Sequence, residues 1–252
     1  MSKHVVLGGF GHVGSHIVKK LTERGCEVIS VSRSPHNARY PLEQTITGDI
    51  TEEGFLSNLV NNQDKVYLCC APSYQNWDTD FLPMIERISQ ELSDKHIVLV
   101  YADNLYMYGP QTGTFCENTS PSTLGPKGQI RFEAYHSLVE KKGNWNIVTC
   151  RAADFYGPGV HQALMGELVF KSALEGKSAI YLGSLSSVHS FTYIEDFAQA
   201  MITLAEDKRA YGGIWHVPMR CQSVLKPSLT KYLNKWVLNQ KSKTYQVGKR
   251  QH

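Results

Sequence analysis

The chain has 252 residues, 42% of them hydrophobic and 19% charged, which excludes a disordered polypeptide and suffices for one substantial core. No uninterrupted apolar run approaches the ~20 residues that a membrane-spanning helix needs, so the sequence reads as having no membrane segment. The net charge of +3 hides an asymmetry: residues 1–207 carry 16 basic against 23 acidic residues, whereas residues 208–252 carry ten basic residues and no acid.

Met1 to His4 lead directly into a short apolar run that ends in glycines, which does not read as a secretory leader. The six cysteines are scattered, without Cys-x-x-Cys spacing. The expectation is reduced thiols in a cytoplasmic protein, with no metal site.

In chain order, Val5-Val6-Leu7 reads as a buried strand. It is followed by Gly8, Gly11 and Gly14 at three-residue spacing, and then by Ile17, Val18 and Leu21 at helical spacing. Gly25 stands where a helix-terminating glycine belongs, and Cys26 to Val31 reads as a second strand. This strand, glycine turn, helix and strand predict the first unit of a dinucleotide-binding fold. The turn, with His12 and Val13 inside it, brings backbone amides and the positive end of a helix dipole to a pyrophosphate. An acid at the end of the second strand would hold the ribose hydroxyl of NAD. Ser32, Arg33 and Ser34 stand there instead, and a guanidinium suits a 2′-phosphate, so NADP is expected over NAD.

Further strands are expected near 45–47, 65–70, 96–101 and 146–151. Helices are expected near 13–24, 53–60, 78–93, 128–142, 161–175 and 194–206. Such alternation predicts an α/β fold, a Rossmann-type doubly wound parallel sheet with ligand at the carboxyl ends of its strands. Gly109 to Gly128, rich in Gly, Pro, Ser and Thr, reads as a loop flanking the site.

These stretches together resemble the extended short-chain dehydrogenase/reductase superfamily, the NAD(P)-dependent epimerase/dehydratase family, over roughly residues 4–217. "GDI" (Gly48 to Ile50) is similar to the segment that contacts the adenine, which implies cofactor roles for Asp49 and Ile50. "VYLCCAP" resembles the fourth strand, whose end, at Ala71, runs beside the cofactor. "VYADNLYMYGP" resembles the fifth strand and its active-site loop, "RAADFYGPG" the sixth strand and the turn into the substrate lobe, and "SSVHSFTYIEDFAQAMITLAE" the segment that returns to the main domain. The resemblance implies a dinucleotide-binding domain over 1–157 and a small C-terminal substrate lobe over 158–252, with 186–217 returning to the main domain.

The family's proton chemistry uses a tyrosine and a lysine four residues later, with a serine on the substrate oxygen. Here that pattern is broken. Lys127 falls on the lysine, Thr123 on the tyrosine and Asn104 on the serine, with Asp103 beside it. An alkyl hydroxyl cannot act as the acid, so Tyr106, Asp103 and Asn104 become the catalytic candidates together with Lys127, which would also bind the nicotinamide ribose. Thr123, Arg131 and His189 are candidate substrate contacts. His189 stands where nucleotide-sugar members carry an arginine.

After Pro218 the resemblance fades into 34 residues that carry basic side chains and no acid, read mainly as a solvated amphipathic helix over Lys231–Asn239 rather than as a nucleic-acid contact. A lobe this thin would leave the pocket open unless a second subunit, as in a homodimer, closes it. The sequence thus points to an NAD(P)-dependent epimerase/dehydratase or reductase acting on a small hydroxyl- or carbonyl-bearing, sugar-derived substrate. The alternative is a regulatory protein that binds NADP without catalysis.

Overall fold

The computed structural model describes residues 2–111, 113–122, 125–160, 169, 171–172, 175, 188–217 and 222–224. Two compact units emerge: residues 1–153 with 194–217, and 154–193 with 218–252. The expected helices over 161–175 and 231–239, apart from isolated positions in the first, lie outside the described residues, as does Thr123.

The first unit is built on seven parallel strands: β1 (His4–Leu7), β2 (Val28–Ser32), β3 (Glu43–Thr47), β4 (Lys65–Leu68), β5 (Val98–Asn104), β6 (Asn146–Ala152) and β9 (Ile214–His216). Their order is β3-β2-β1-β4-β5-β6-β9, which reverses direction at β1. The expected Rossmann-type sheet is therefore present, and its crevice for ligand lies outside the carboxyl ends of β1 and β4.

Both faces are covered, which is why the central strands are apolar without alternation. Helices α1 (His12–Glu23) and α5 (Ile194–Glu206) pack together on one face. They bury Ile17, Val18 and Leu21 with Phe197, Met201 and Ile202. The opposite face carries α2 (Phe55–Leu59), α3 (Trp77–Glu91) and α4 (Pro126–Glu140), whose core centres on Phe81, Ile85, Ile88, Leu138 and Trp145. Full burial of each such side chain contributes about 1.5–3 kcal/mol.

Local signals explain the boundaries. Helix α1 ends as expected at Gly25, where the Cys26 and Gly25 amides donate back to the carbonyls of Leu21 and Thr22 (both 3.0 Å). Strand β5 runs three residues past its expected end, because Asp103 and Asn104 stay in register with Arg151 and Ala152 of β6. A buried ion pair between Asp103 and Arg151 closes that extension, so a segment read as loop is strand.

In the second unit, β7 (Asp154–Tyr156) pairs in parallel with β8 (Val188–Tyr193). Strand β8 pairs antiparallel with β10 (Gln222–Val224). Among the described residues no helix is long and apolar enough to cross a membrane.

Candidate active site

The glycines of the first turn have different physical duties. Gly8 has φ +86°, and a Cβ there would come 2.9 Å from the Cβ of Cys70, so only glycine lets the turn lie against the end of β4. At Gly14 a Cβ would sit 2.2 Å from the carbonyl oxygen of Gly8, so α1 could not pack onto the turn. At Gly9, which sequence reasoning passed over, a Cβ would sit 2.8 Å from the Ser30 Cβ. Gly11 differs from these. A side chain there would meet only the Gly8 oxygen, at 3.3 Å, and otherwise faces open space.

Gly11 caps α1 without a side-chain hydrogen bond, and no acid lies in the first turn. The helix dipole is therefore left uncompensated beside an open surface, an arrangement that fits the pyrophosphate of a dinucleotide. His12 is exposed at this rim, and Val13 is buried beneath it.

At the end of β2, the Ser32 hydroxyl donates to the Ser34 carbonyl (2.7 Å), and Arg33 is exposed. Across the strand tips the Asp49 carboxylate accepts from the Thr51 amide (2.9 Å) and hydroxyl (2.7 Å). These two bonds, helped by the Arg33 charge, hold its carboxyl below the usual range. Ile50 is buried beside it, and Ala71 is exposed past β4.

A further group here was not visible in the sequence. The Arg39 guanidinium donates to the Gly9 carbonyl (2.9 Å), lies 4.1 Å from the centre of the Phe10 ring and pairs with the buried Glu43 (2.6 Å). Burial alone would raise the Glu43 carboxyl. The bonds from Arg39 and Ser30 outweigh it and hold the carboxyl low. His36 stacks on Phe10 with ring centres 4.0 Å apart. Arg39 and Glu43 are four residues apart outside any helix, so no periodicity announces the pair.

The second region lies at the carboxyl end of β5. Asp103 is buried, and its carboxylate accepts from Arg151 Nε (2.9 Å). Arg131 Nη1 lies 3.6 Å from its other oxygen and donates to the Tyr101 hydroxyl (3.0 Å). Two guanidinium groups share one carboxylate, leaving a buried excess of positive charge. Aromatic faces take part of it: Arg131 lies 4.4 Å from the Trp77 ring centre and Arg151 5.0 Å from that of Tyr135.

Arg151 also donates to the Tyr108 hydroxyl (2.7 Å), which lies 2.7 Å from His216 Nε2. The arginine can only donate, so the tyrosine proton goes to His216, whose Nε2 must be bare. Burial agrees, holding the imidazole below its ordinary value and so neutral. Sequence reasoning named Asp103 and Arg131 but missed Arg151, which no local pattern separates from a surface arginine.

Asn104 accepts the Tyr106 amide through Oδ1 (3.0 Å) and so starts the single 3₁₀ turn Tyr106–Tyr108. Tyr106 is 41% exposed. It lines a cavity of about 340 Å³ together with Leu105, Pro126 and Lys127. Two glycines shape this cavity. Gly109 has φ +60°, and a Cβ there would lie 2.1 Å from the Ser122 oxygen; one at Gly128 would lie 2.7 Å from the Tyr106 oxygen. The missing side chain at Gly128 lets the first turn of α4 close on Tyr106, which brings Lys127 to the same cavity.

The Lys127 ammonium donates to the Tyr74 carbonyl and lies 4.4 Å from the Tyr74 ring centre and 5.1 Å from that of Trp77. The structure thus brings Tyr106 and Lys127 to one opening, with Asn104 bonded to the Tyr106 amide. It turns Asp103 and Arg131 inward behind them. In the second unit, His189 Nε2 pairs with Asp154 Oδ2 at 2.7 Å, both side chains being about one-third exposed.

The cysteines near the turn rest as thiols. Burial raises the Cys69 thiol well above its ordinary value and pushes Cys70 up to about 12, so both stay protonated.

With this geometry in place, comparison with known proteins is decisive on one point. The chain matches the NAD dependent epimerase/dehydratase family over residues 4–217. It belongs to that family.

Its fold is shared with solved members of low identity. The UDP-glucuronic acid 4-epimerase from Bacillus cereus, in complex with UDP-glucuronic acid and NAD, is 21% identical. The match covers 88% of this chain and 79% of that one, with a TM-score of 0.75. A dTDP-glucose 4,6-dehydratase from Streptomyces venezuelae with NAD bound is 19% identical, with 92% and 80% coverage and a TM-score of 0.78. The Bordetella bronchiseptica enzyme WbmH, in complex with NAD+, is 17% identical, with 91% and 79% coverage and a TM-score of 0.72.

Proposed function

We propose that the protein is a cytoplasmic NAD(P)-dependent epimerase, dehydratase or reductase acting on a hydroxyl- or carbonyl-bearing, sugar-derived substrate, and that it prefers NADP. The observation that carries this reading is the meeting of Tyr106 and Lys127 on one cavity in a family member whose usual tyrosine position is Thr123. The solved relatives that bind nucleotide sugars and NAD support the substrate class.

A nicotinamide held here would supply reversible hydride exchange with a substrate carbon. Gly11 and the N-terminus of α1 would hold the pyrophosphate. Asp49 and Ile50 would border the adenine, and Ala71 would lie beside the cofactor's path past β4. Arg33, with Ser32 and Ser34, would take a 2′-phosphate. The support for that preference is a β2 strand that ends without a carboxylate beside an exposed guanidinium.

Tyr106 takes the substrate hydroxyl proton in this reading. Lys127, held by the Tyr74 backbone carbonyl, would place its positive charge on the cavity that Tyr106 lines and hold the nicotinamide ribose. Asn104 positions Tyr106 through its amide. Asp103 acts from behind, fixing Arg151 and Arg131. Residues 158–252 would form the substrate lobe, where His189, oriented by Asp154, would donate to an anionic group.

Tyr106→Phe tests the assignment. It removes one oxygen, and turnover of a nucleotide sugar should fall ~10²–10⁴-fold while cofactor affinity is unchanged. Equal turnover in the variant would remove Tyr106 from the chemistry. One observation favours the second reading, a non-catalytic NADP-binding regulator: the Asp103 carboxylate and the Asn104 carbonyl oxygen are both already engaged by the protein. Tight NADP binding without turnover on any nucleotide sugar would select it.

A further inference from the structure

Two exposed tyrosines are grouped around Lys127: Tyr74, whose ring it touches, and Tyr106, which lines the same cavity. Tyr74 is 56% exposed and Tyr106 41%, the two most exposed tyrosines among the large hydrophobic residues described. Both lean on one buried ring. Trp77 lies 5.0 Å from Tyr74 and 6.2 Å from Tyr106 between ring centres, tilted by 54° and 45°.

Trp77 itself cannot move. It is 6% exposed, its indole N–H donates to the Pro72 carbonyl (3.1 Å), its edge meets Phe81, and the Arg131 guanidinium covers it at 4.4 Å. A 3₁₀ turn over Tyr74–Asn76 lifts the Tyr74 ring clear of the surface, and the Asn76 amide bond to Ser73 (2.9 Å) closes that turn. Two flat, wet rings are thus held on a rigid base beside the cavity that Tyr106 and Lys127 line.

We propose that Tyr74, with Tyr106 and Trp77, forms a stacking subsite for the apolar face of the substrate's pyranose ring. The inference rests on the epimerase/dehydratase reading and adds a substrate contact to it. A pyranose presents C–H bonds on one face and hydroxyls at its rim. A tyrosine ring matches the face, and the Lys127 ammonium is close enough to address the rim. The same ammonium, 4.4 Å from the Tyr74 ring centre, would also pair with an acidic substituent on that rim.

The test uses the full-length protein saturated with NADP or NAD. UDP-glucose, UDP-glucuronic acid and UDP alone are titrated into wild type, Tyr74→Leu and Tyr74→Phe, with cofactor affinity measured on each. Burying one ring face is worth about a tenfold change in affinity. Tyr74→Leu should therefore weaken both sugar nucleotides about tenfold, leave UDP and cofactor binding unchanged, and be rescued by Tyr74→Phe. Equal weakening of UDP would make Tyr74 a nucleobase contact, and a parallel loss of cofactor would make it a brace for Lys127. Unchanged binding of all ligands would abolish the subsite. Each outcome overturns the proposal while sparing the functional reading. If wild type binds cofactor but neither sugar nucleotide, the functional reading fails and takes the subsite with it.

Discussion

The two ends of the site are built from different materials. At the glycine turn, backbone meets backbone: the Gly14 α-carbon faces the Gly8 oxygen, and Gly8 lies against Cys70. At the end of β5, side chains meet side chains: Asp103, Arg151, Arg131, Tyr101, Tyr108 and His216 form one buried polar chain stacked between aromatic rings. Backbone contacts admit almost no substitution, so the turn keeps the family's form. Side-chain networks can be exchanged group by group if charge and volume are rebuilt.

The sharpest way to break the second region is to remove the Asp103 carboxylate that both arginines share. Asp103→Ala leaves Arg151 and Arg131, 1% and 8% exposed, buried without a counter-charge. Loss of one partner of a buried pair costs about 3–5 kcal/mol, a large share of a domain's total stability. Urea denaturation followed by circular dichroism should show it. A change below about 1 kcal/mol would mean that water or an anion compensates the arginines.

The turn should break differently at two neighbouring glycines. Gly11→Val places its methyl groups in the open space beside the helix N-terminus, so the fold should survive while cofactor affinity falls about a hundredfold, about 3 kcal/mol. Gly14→Val drives a carbon into the Gly8 carbonyl and should lose fold and binding together. Circular dichroism and a cofactor titration on the same samples separate the outcomes. Similar behaviour of the two variants would mean that Gly11 is only part of a turn.

Acid should strike the strand under the turn rather than the charged network. His4 is buried at the start of β1, 3.1 Å from the Tyr67 hydroxyl. Burial, helped by the charges of Lys65 and Arg24, lowers its pKa from 6.5 to about 4. Between those values the unfolded chain binds the proton and the folded chain does not. The contribution is therefore intact above pH 6.5 and is lost as pH falls toward 4, by up to about 3 kcal/mol. His4→Gln cannot titrate, so its stability should slope less with pH in that window; an unchanged slope would assign the acid sensitivity elsewhere.

How legible these regions were follows from the same difference in material. The strand, turn and helix around Gly8 to Gly25 are coded by neighbours within a few residues, so their order and limits could be read directly, down to the helix end at Gly25. Tyr106 and Lys127 could be named as candidates, but their meeting depends on Gly128 reaching the Tyr106 carbonyl from 22 positions away. The buried network was harder still. Arg131 looks like one more helix-surface arginine until Trp77 and Asp103 close on it from separate elements. Tyr74 carried no signal, because what sets it apart is exposure rather than pattern.

The smallest expected effect concerns the cofactor's second phosphate, where the two kinds of material meet. Arg33 leaves the end of β2 beside the glycine turn, and its partner would be a ligand charge rather than a protein one. The residue is exposed, so solvent screens the pair and its worth is about 1 kcal/mol, roughly fivefold in affinity. Wild type should bind NADP about fivefold more tightly than NAD, and Arg33→Ala should erase the difference by weakening NADP alone. The preference should also shrink as salt rises from 50 to 500 mM, because an exposed pair is screened within about a Debye length. Arg39 cannot substitute for Arg33, since Glu43 and the Gly9 carbonyl already hold its guanidinium. Equal affinities in wild type would leave Arg33 as a surface cation. A preference that survived both the substitution and salt would point to a buried contact other than Arg33.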